Sequence, residues 1–263
     1  MKKLAVIFTI IFLLLCALHY FALAPEKYSE QDVYERIVSR GCLRAGINLD
    51  ARPFGFIDEN GEIQGYDADL ARYIAQYILK NPKAVEFYPV TPANRMLKVS
   101  TDEVDVVIAA MTITPQREEL VGFSVPYDYA GQALLVRQDS KVTSIAELAG
   151  RNAGVVYGTT AEKNMLNLVP NANIIGFKNY AEAYAALKSG KIEALTSDDT
   201  ILSRFVLEDK SVKLLPKRYS REPYGIAFKK GKCSKKLKET VDFAISDMKQ
   251  KNVLTRLRRK WGL

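Results

Sequence analysis

The sequence predicts an α/β protein of two lobes, each a mostly parallel sheet flanked by helices, joined where the chain crosses twice. Three observations predict it. Short apolar runs rich in β-branched residues alternate with amphipathic stretches at helical spacing along most of the 263 residues, the pattern of βαβ units. The alternation builds one set of strands up to about residue 131, a second set over 132–222, and then a late apolar run at 224–228 that returns to the first. The stretch 104–127 joins a buried-strand pattern to a helix start through hydroxyl side chains, as a ligand site at the carboxyl end of a sheet requires.

Lys2 and Lys3 precede an apolar run over 4–24, interrupted mildly by Thr9, His19 and Tyr20, which reads as an export signal. Ala22-Leu23-Ala24 has the small-x-small form of a cleavage site, but Pro25 follows it directly. Leu13-Leu14-Leu15-Cys16 has the outline of a lipoprotein box with a bulky Leu15 where a small residue is expected. About 20 apolar residues also suffice to span a bilayer, so an uncleaved anchor is the third outcome. All three place the remainder outside the cytoplasm, in the periplasm or on the extracellular face of the membrane. The expected division is 1–24 signal or anchor, 25–131 first lobe, 132–222 second lobe, and 223–263 a return segment with terminal helices.

A helical pattern at 29–38 leads into a first strand at 43–47. Asp58-Glu59-Asn60-Gly61 reads as a hairpin turn. Leu70, Ile74, Tyr77 and Ile78 give one apolar face to a helix over 67–79, which Asn81-Pro82 ends. A second strand at 85–90 and a short helix at 95–99 follow. Residues 104–108 form a nearly continuous apolar run, a buried parallel strand. Ala109 and Ala110 then leave room for close approach of a ligand. Thr114 reads as an N-cap and Pro115 as the first helical residue, where a missing N–H costs nothing. In the second unit the strands fall at 131–136, 152–157, 174–177, 192–195 and 212–214, with helical segments at 145–148, 159–168, 180–189 and 201–208.

Apolar residues make up 48% and charged residues 26% of the chain, which suits a globular protein, and the net charge is +8. The basic excess lies late, at Lys229, Lys230, Lys232, Lys235, Lys236 and Lys238 and at Arg256, Arg258, Arg259 and Lys260. These fall on amphipathic terminal helices without an interleaved aromatic platform, so the expectation is a solvated face and no nucleic-acid partner. The only histidine, His19, lies in the export segment. That removes Ser–His and Cys–His hydrolases and most zinc sites, and neither metal nor cofactor is expected. Cys42 and Cys233 remain in the exported portion, where an oxidising compartment permits a disulfide.

Arg117 sits in the first turn of the helix begun by Thr114, where the helix dipole disfavours a cation, so an anionic partner is expected. On this stretch alone a solvated arginine fits as well. The string Ala-Ala-Met-Thr-Ile-Thr-Pro-Gln-Arg at 109–117, followed by Phe123-Ser124-Val125-Pro126-Tyr127, resembles the signature of the family 3 extracellular solute-binding proteins, the amino-acid receptors of bacterial ABC importers. Upstream, Gly46-Ile47-Asn48-Leu49-Asp50-Ala51-Arg52-Pro53-Phe54-Gly55-Phe56 and Gly65-Tyr66-Asp67-Ala68-Asp69-Leu70-Ala71 extend the likeness. Downstream, Gly158-Thr159-Thr160-Ala161-Glu162, Ser197-Asp198, Tyr224-Gly225-Ile226-Ala227 and Lys260-Trp261-Gly262-Leu263 continue it in family order over about 36–263.

The resemblance implies a periplasmic-binding-protein (Venus flytrap) fold closing on an amino acid, a membrane permease as partner, and a monomer that is not an enzyme. An α-amino acid presents a carboxylate and an ammonium. Arg117 supplies a bidentate cation for the first, with Thr112 and N–H groups near Ala110, Thr159 and Thr160 as neutral donors. By the resemblance Asp198 supplies the anion for the ammonium; without it, Asp198 and Asp199 read as a helix N-cap pair. Many family members carry aromatic residues near Ala51 and Pro92, a sandwich missing here. The segment Thr91-Pro92-Ala93-Asn94-Arg95 resembles the acidic-amino-acid branch, in which an arginine at the place of Arg95 meets the side-chain carboxylate. Asn48 departs from the lysine frequent there, and Arg52 is a reserve cation that reads equally as a solvated loop residue. The expected ligand is therefore glutamate or aspartate, with glutamine as the alternative. A dehydratase acting on cyclohexadienyl acids and a membrane-anchored sensor are the readings from other classes.

Overall fold

The computed structural model describes residues 32–263; the export segment lies outside them. Among the described residues no helix is long and apolar enough to cross a membrane. The chain opens with α1 (Val33–Arg40), capped by the Asp32 carboxylate on the N–H groups of Tyr34 and Glu35. It starts four residues later than the helical pattern at 29–38, because Asp32 offers the better cap. β1 (Leu43–Ile47) follows, then the hairpin β2 (Phe56–Ile57) and β3 (Ile63–Gln64), α2 (Tyr66–Leu79), β4 (Val85–Pro89), α3 (Arg95–Ser100) and β5 (Val106–Val107).

The helix begun by Pro115 is one turn, α4 (Pro115–Glu118); the Thr114 hydroxyl accepts the Arg117 N–H at 3.3 Å as its N-cap. β6 (Val121–Phe123) closes this part. The chain then crosses over as β7 (Asp128–Ala130). In the second lobe lie β8 (Gln132–Arg137), β9 (Asn152–Val156), α5 (Ala161–Leu168), β10 (Asn173–Phe177), α6 (Tyr180–Lys188), β11 (Ala194–Asp198), α7 (Asp199–Glu208) and β12 (Val212–Leu214). It returns through β13 (Glu222–Tyr224) to β14 (Ala227–Lys229), and ends in α8 (Lys235–Gln250) and α9 (Val253–Trp261).

The two lobes follow one plan. The first sheet has the order β4-β1-β5-β14-β6 and the second β10-β9-β11-β8-β12. In each, three parallel strands meet an antiparallel one: β14 beside β5, and β8 beside β11. Parallel strands require crossover helices on the faces, so the central strands are largely apolar and their carboxyl ends point at one edge. The two crossings, β7 and β13, pair with each other as an antiparallel ribbon, Tyr224 opposite Asp128 and Glu222 opposite Ala130. That ribbon is the hinge.

Two features explain motifs that are silent about binding. The terminal Lys260 and Trp261 both reach the Asp69 carboxylate, at 2.7 and 2.9 Å, and pin α9 to α2. Cys42 and Cys233 form no disulfide: the Cys42 thiol lies 3.8 Å from the Leu43 carbonyl and the Cys233 sulfur 3.9 Å from the Ser234 hydroxyl. Asp105, wholly buried at the start of β5, accepts the Arg44 N–H at 2.8 Å and pairs with the guanidinium groups of Arg40 and Arg44. Removing it strands two cations beside the first sheet. Asp105→Ala should lower unfolding free energy by about 3 kcal/mol, read by urea denaturation; a loss under about 1 kcal/mol would show the cations to be hydrated in the native state.

Candidate functional site

The carboxyl ends of β1, β4 and β5 face those of β9, β10 and β11 across a narrow cleft, closed down to about 10 Å³ of free space. Asn48, Pro92, Arg95, Ala109, Ala110, Thr112 and Arg117 line it from the first lobe, and Thr159, Thr160, Tyr180, Asp198 and Ile201 from the second. Eight of the nine residues expected at the site are therefore together, the exception being Arg52. Its guanidinium lies over the Phe56 ring, 3.9 Å from the centroid, and lines a separate groove with Lys260 and Trp261. Stacked on Phe56, Arg52 lies outside the cleft.

Arg117 is buried, and its fork is held by the main chain. One arm donates to the Thr112 carbonyl at 2.7 Å and the other crosses the cleft to the Gly158 carbonyl at 2.9 Å. No protein carboxylate lies within ion-pair reach of it among the described residues. Burial pushes its pKa down, the neighbouring Arg95 adds to this, and Asp198 and Glu222 oppose it. A guanidinium keeps its proton even so, and the site therefore holds a desolvated cation. Arg95 is likewise buried, donating to the Ala109 carbonyl at 2.6 Å and reaching the Gly158 carbonyl at 3.5 Å.

Asp198 ends β11 at the N-cap position of α7, but its side chain makes no capping bond. Asp199 has the structural work instead, accepting the Gly131 N–H at 3.0 Å and pairing with Arg218 at 2.8 Å. The Asp198 carboxylate is thereby released toward the cleft, where the Tyr224 hydroxyl donates to it at 2.5 Å. Burial pushes its pKa up to about 7, Glu222 raises it further, and Tyr224, Arg95 and Arg117 hold it down.

Groups on three of the expected donor residues are committed elsewhere. The Ala110 N–H donates to the Asp67 carboxylate at 2.8 Å, and the Tyr127 hydroxyl holds the other oxygen of Asp67 at 2.9 Å. Ala110 lines the cleft but its N–H does not face a ligand. The Thr160 hydroxyl donates to Glu222 at 3.1 Å, and the Thr159 hydroxyl to the Val156 carbonyl at 2.7 Å. Asn48 accepts the Asp50 N–H through its side-chain oxygen at 3.2 Å and lines the cleft. Tyr180 was not singled out from the sequence; its hydroxyl meets Ser197 at 2.9 Å and its ring walls the second-lobe side. Glu222 and Asp67 were missed too, because both act through contacts many residues distant.

The model of the bacterial extracellular solute-binding proteins, family 3, matches residues 43–263. The chain belongs to that family. This solute-binding protein is 36% identical to the ABC transporter glutamine-binding protein GlnH of Bacillus subtilis over 97% of this chain and 93% of that one. It is 37% identical to a glutamine-binding protein of Geobacillus stearothermophilus, over 78% of this chain and 79% of the other. Among solved structures it resembles AncCDT-1, an ancestral amino-acid-binding protein described as a precursor of cyclohexadienyl dehydratase. The TM-score is 0.80 at 34% identity, covering 87% of this chain and 98% of that one.

Gly158 sets how closely the lobes approach. It has φ +79, and a Cβ there would lie 2.4 Å from the Pro92 carbonyl oxygen and 2.6 Å from the Ala93 nitrogen, both backbone of the facing lobe. Gly158→Ala should therefore hold the lobes apart. With saturating amino acid its radius of gyration by small-angle scattering should stay above that of the parent; an equally compact variant would show that the lobes close without this approach.

Proposed function

We propose that this solute-binding protein captures L-glutamine between its lobes and delivers it to the membrane permease of an ABC transporter, working outside the cytoplasm after export by its N-terminal segment. The observation that carries the reading is the buried cation and buried carboxylate facing one cavity from opposite lobes, Arg117 and Asp198. A zwitterion complements both at once: its carboxylate takes the Arg117 fork and its ammonium takes Asp198. Thr112 and the main-chain N–H of Thr160, just before α5, supply neutral donors to the same carboxylate. The ligand then bridges the lobes and favours closure.

The side chain is where glutamine fits better than an acidic amino acid. Arg95 and Arg117 already sit among three buried carboxylates, Asp67, Asp198 and Glu222, so the surroundings of the cleft hold no surplus positive charge for an acidic side chain. Glutamate would add a second anion to that balance, and the reserve cation Arg52 lies outside the cleft. The Asn48 amide can donate to a glutamine side-chain carbonyl at no charge cost. The named relatives point the same way.

Isothermal titration should show glutamine binding at least tenfold (about 1.4 kcal/mol) more tightly than glutamate. Arg117→Ala and Asp198→Ala should each cost about 2–5 kcal/mol of affinity in the same titration. Tighter glutamate binding would restore Arg95 as a side-chain cation and sink the glutamine reading alone.

A second reading has one observation behind it: an acid near pKa 7 in a cleft is what a dehydratase needs. The direction of proton movement separates the two. Below about pH 7 Asp198 is protonated in the ligand-free protein, and an incoming ammonium favours the carboxylate, so binding releases a proton and affinity falls as the pH drops. Titration at pH 6 in buffers of different ionisation heat should show that release, and Asp198→Asn should abolish it. Binding of a cyclohexadienyl acid without proton release, followed by turnover, would favour the enzyme.

A further inference from the structure

The loop after β1 carries a carboxylate that no binding role uses. Asp50 belongs to the first lobe, and one of its oxygens accepts the main-chain N–H of Tyr180 at 2.5 Å, in the second lobe. Tyr180 is the first residue of α6, a helix of nine residues, and the N–H of Ala181 reaches the same carboxylate. The exposed N–H groups at a helix start carry about half a positive charge, so an ionised carboxylate there gains charge-assisted hydrogen bonds and a favourable dipole. Arg204, on α7 of the same lobe, adds a further attraction, opposed by Glu182. A carboxylate of one lobe thus caps a helix of the other.

We infer that Asp50 is a positioning residue for lobe closure, an interlobe clasp whose strength does not depend on which amino acid the cleft holds. It rests on the binding reading of the cleft and adds to it. Asp50 does not line the cavity, whereas Tyr180 does, so forming the clasp draws the Tyr180 wall onto the ligand. The main-chain N–H of Asp50 also anchors the Asn48 side chain, and this bond survives truncation of the Asp50 carboxylate. When the lobes part, Asp50 and the start of α6 are both hydrated; closure exchanges that water for a direct bond. The clasp therefore raises the closed fraction, and apparent affinity scales with that fraction by the same factor for every ligand.

Asn179 provides an internal control. Its side chain caps the same helix from within the second lobe, accepting the Glu182 N–H at 2.8 Å. Asp50→Ala should weaken binding of glutamine and of every weaker-binding amino acid by one common factor, about tenfold, with the rank order unchanged and dissociation faster. Asn179→Ala should lower the melting temperature while leaving affinities within about twofold. A loss that differs between ligands would make Asp50 a ligand contact, and no loss would make it an idle surface residue; either overturns the clasp. A ligand-free measurement stands beside the titration. Hydrogen exchange at the Tyr180 and Ala181 amides should be at least about threefold slower in the parent than in Asp50→Ala, and equal rates overturn the clasp. If the parent binds none of the twenty amino acids, the cleft reading fails, and the exchange rates alone decide for or against the clasp.

Discussion

Two guanidinium groups buried between the lobes set the terms for the rest of this molecule. A desolvated charge is tolerated only where hydrogen bonds and opposite charge offset its lost hydration. Arg117 and Arg95 meet that demand with carbonyls at Thr112, Ala109 and Gly158, and with the negative potential of Asp198 and Asp67. Most of these groups sit at carboxyl ends of parallel strands, or in the first turn of a helix that follows one. The sheet order places such ends at one edge of each lobe, and the paired ribbon of β7 and β13 keeps the two edges facing.

Gly158 is where binding and closure become one event. Its carbonyl accepts from Arg117 and Arg95, while its missing side chain lets the turn reach the Pro92 backbone. Glu222 ties the hinge ribbon to the second lobe by accepting from Thr160 and from Asn164. Tyr224, two residues on in the same strand, holds Asp198. The residues that would read the ammonium are thus bonded directly to the strand that bends.

Much of the site was legible because it is local. Thr114, Pro115 and Arg117 lie within a single turn after β5, and helix-capping chemistry places the arginine in the first turn of α4, while the resemblance was needed to turn it to the cleft. Asp198 needed the resemblance, since a carboxylate before a helix ordinarily caps it; only the structure shows Asp199 bonded to Gly131 and Arg218 instead. The commitment of the Ala110 N–H to Asp67 was not legible, because the partner lies on a helix 43 residues earlier. Arg52 misled for the opposite reason: it neighbours the site in sequence, but stacking on Phe56 carries it out of the cleft. Selectivity was the hardest part to read, because the groups that line the cleft come from both lobes and from distant parts of the sequence.

The most direct test of the central claim is a crystal structure of the protein grown with saturating L-glutamine. The α-carboxylate should lie on the Arg117 fork within about 3 Å, with the ammonium on Asp198 and the side-chain amide toward Asn48. A glutamine bound with its amino-acid head away from Arg117 and Asp198, or held outside this cleft, would contradict it.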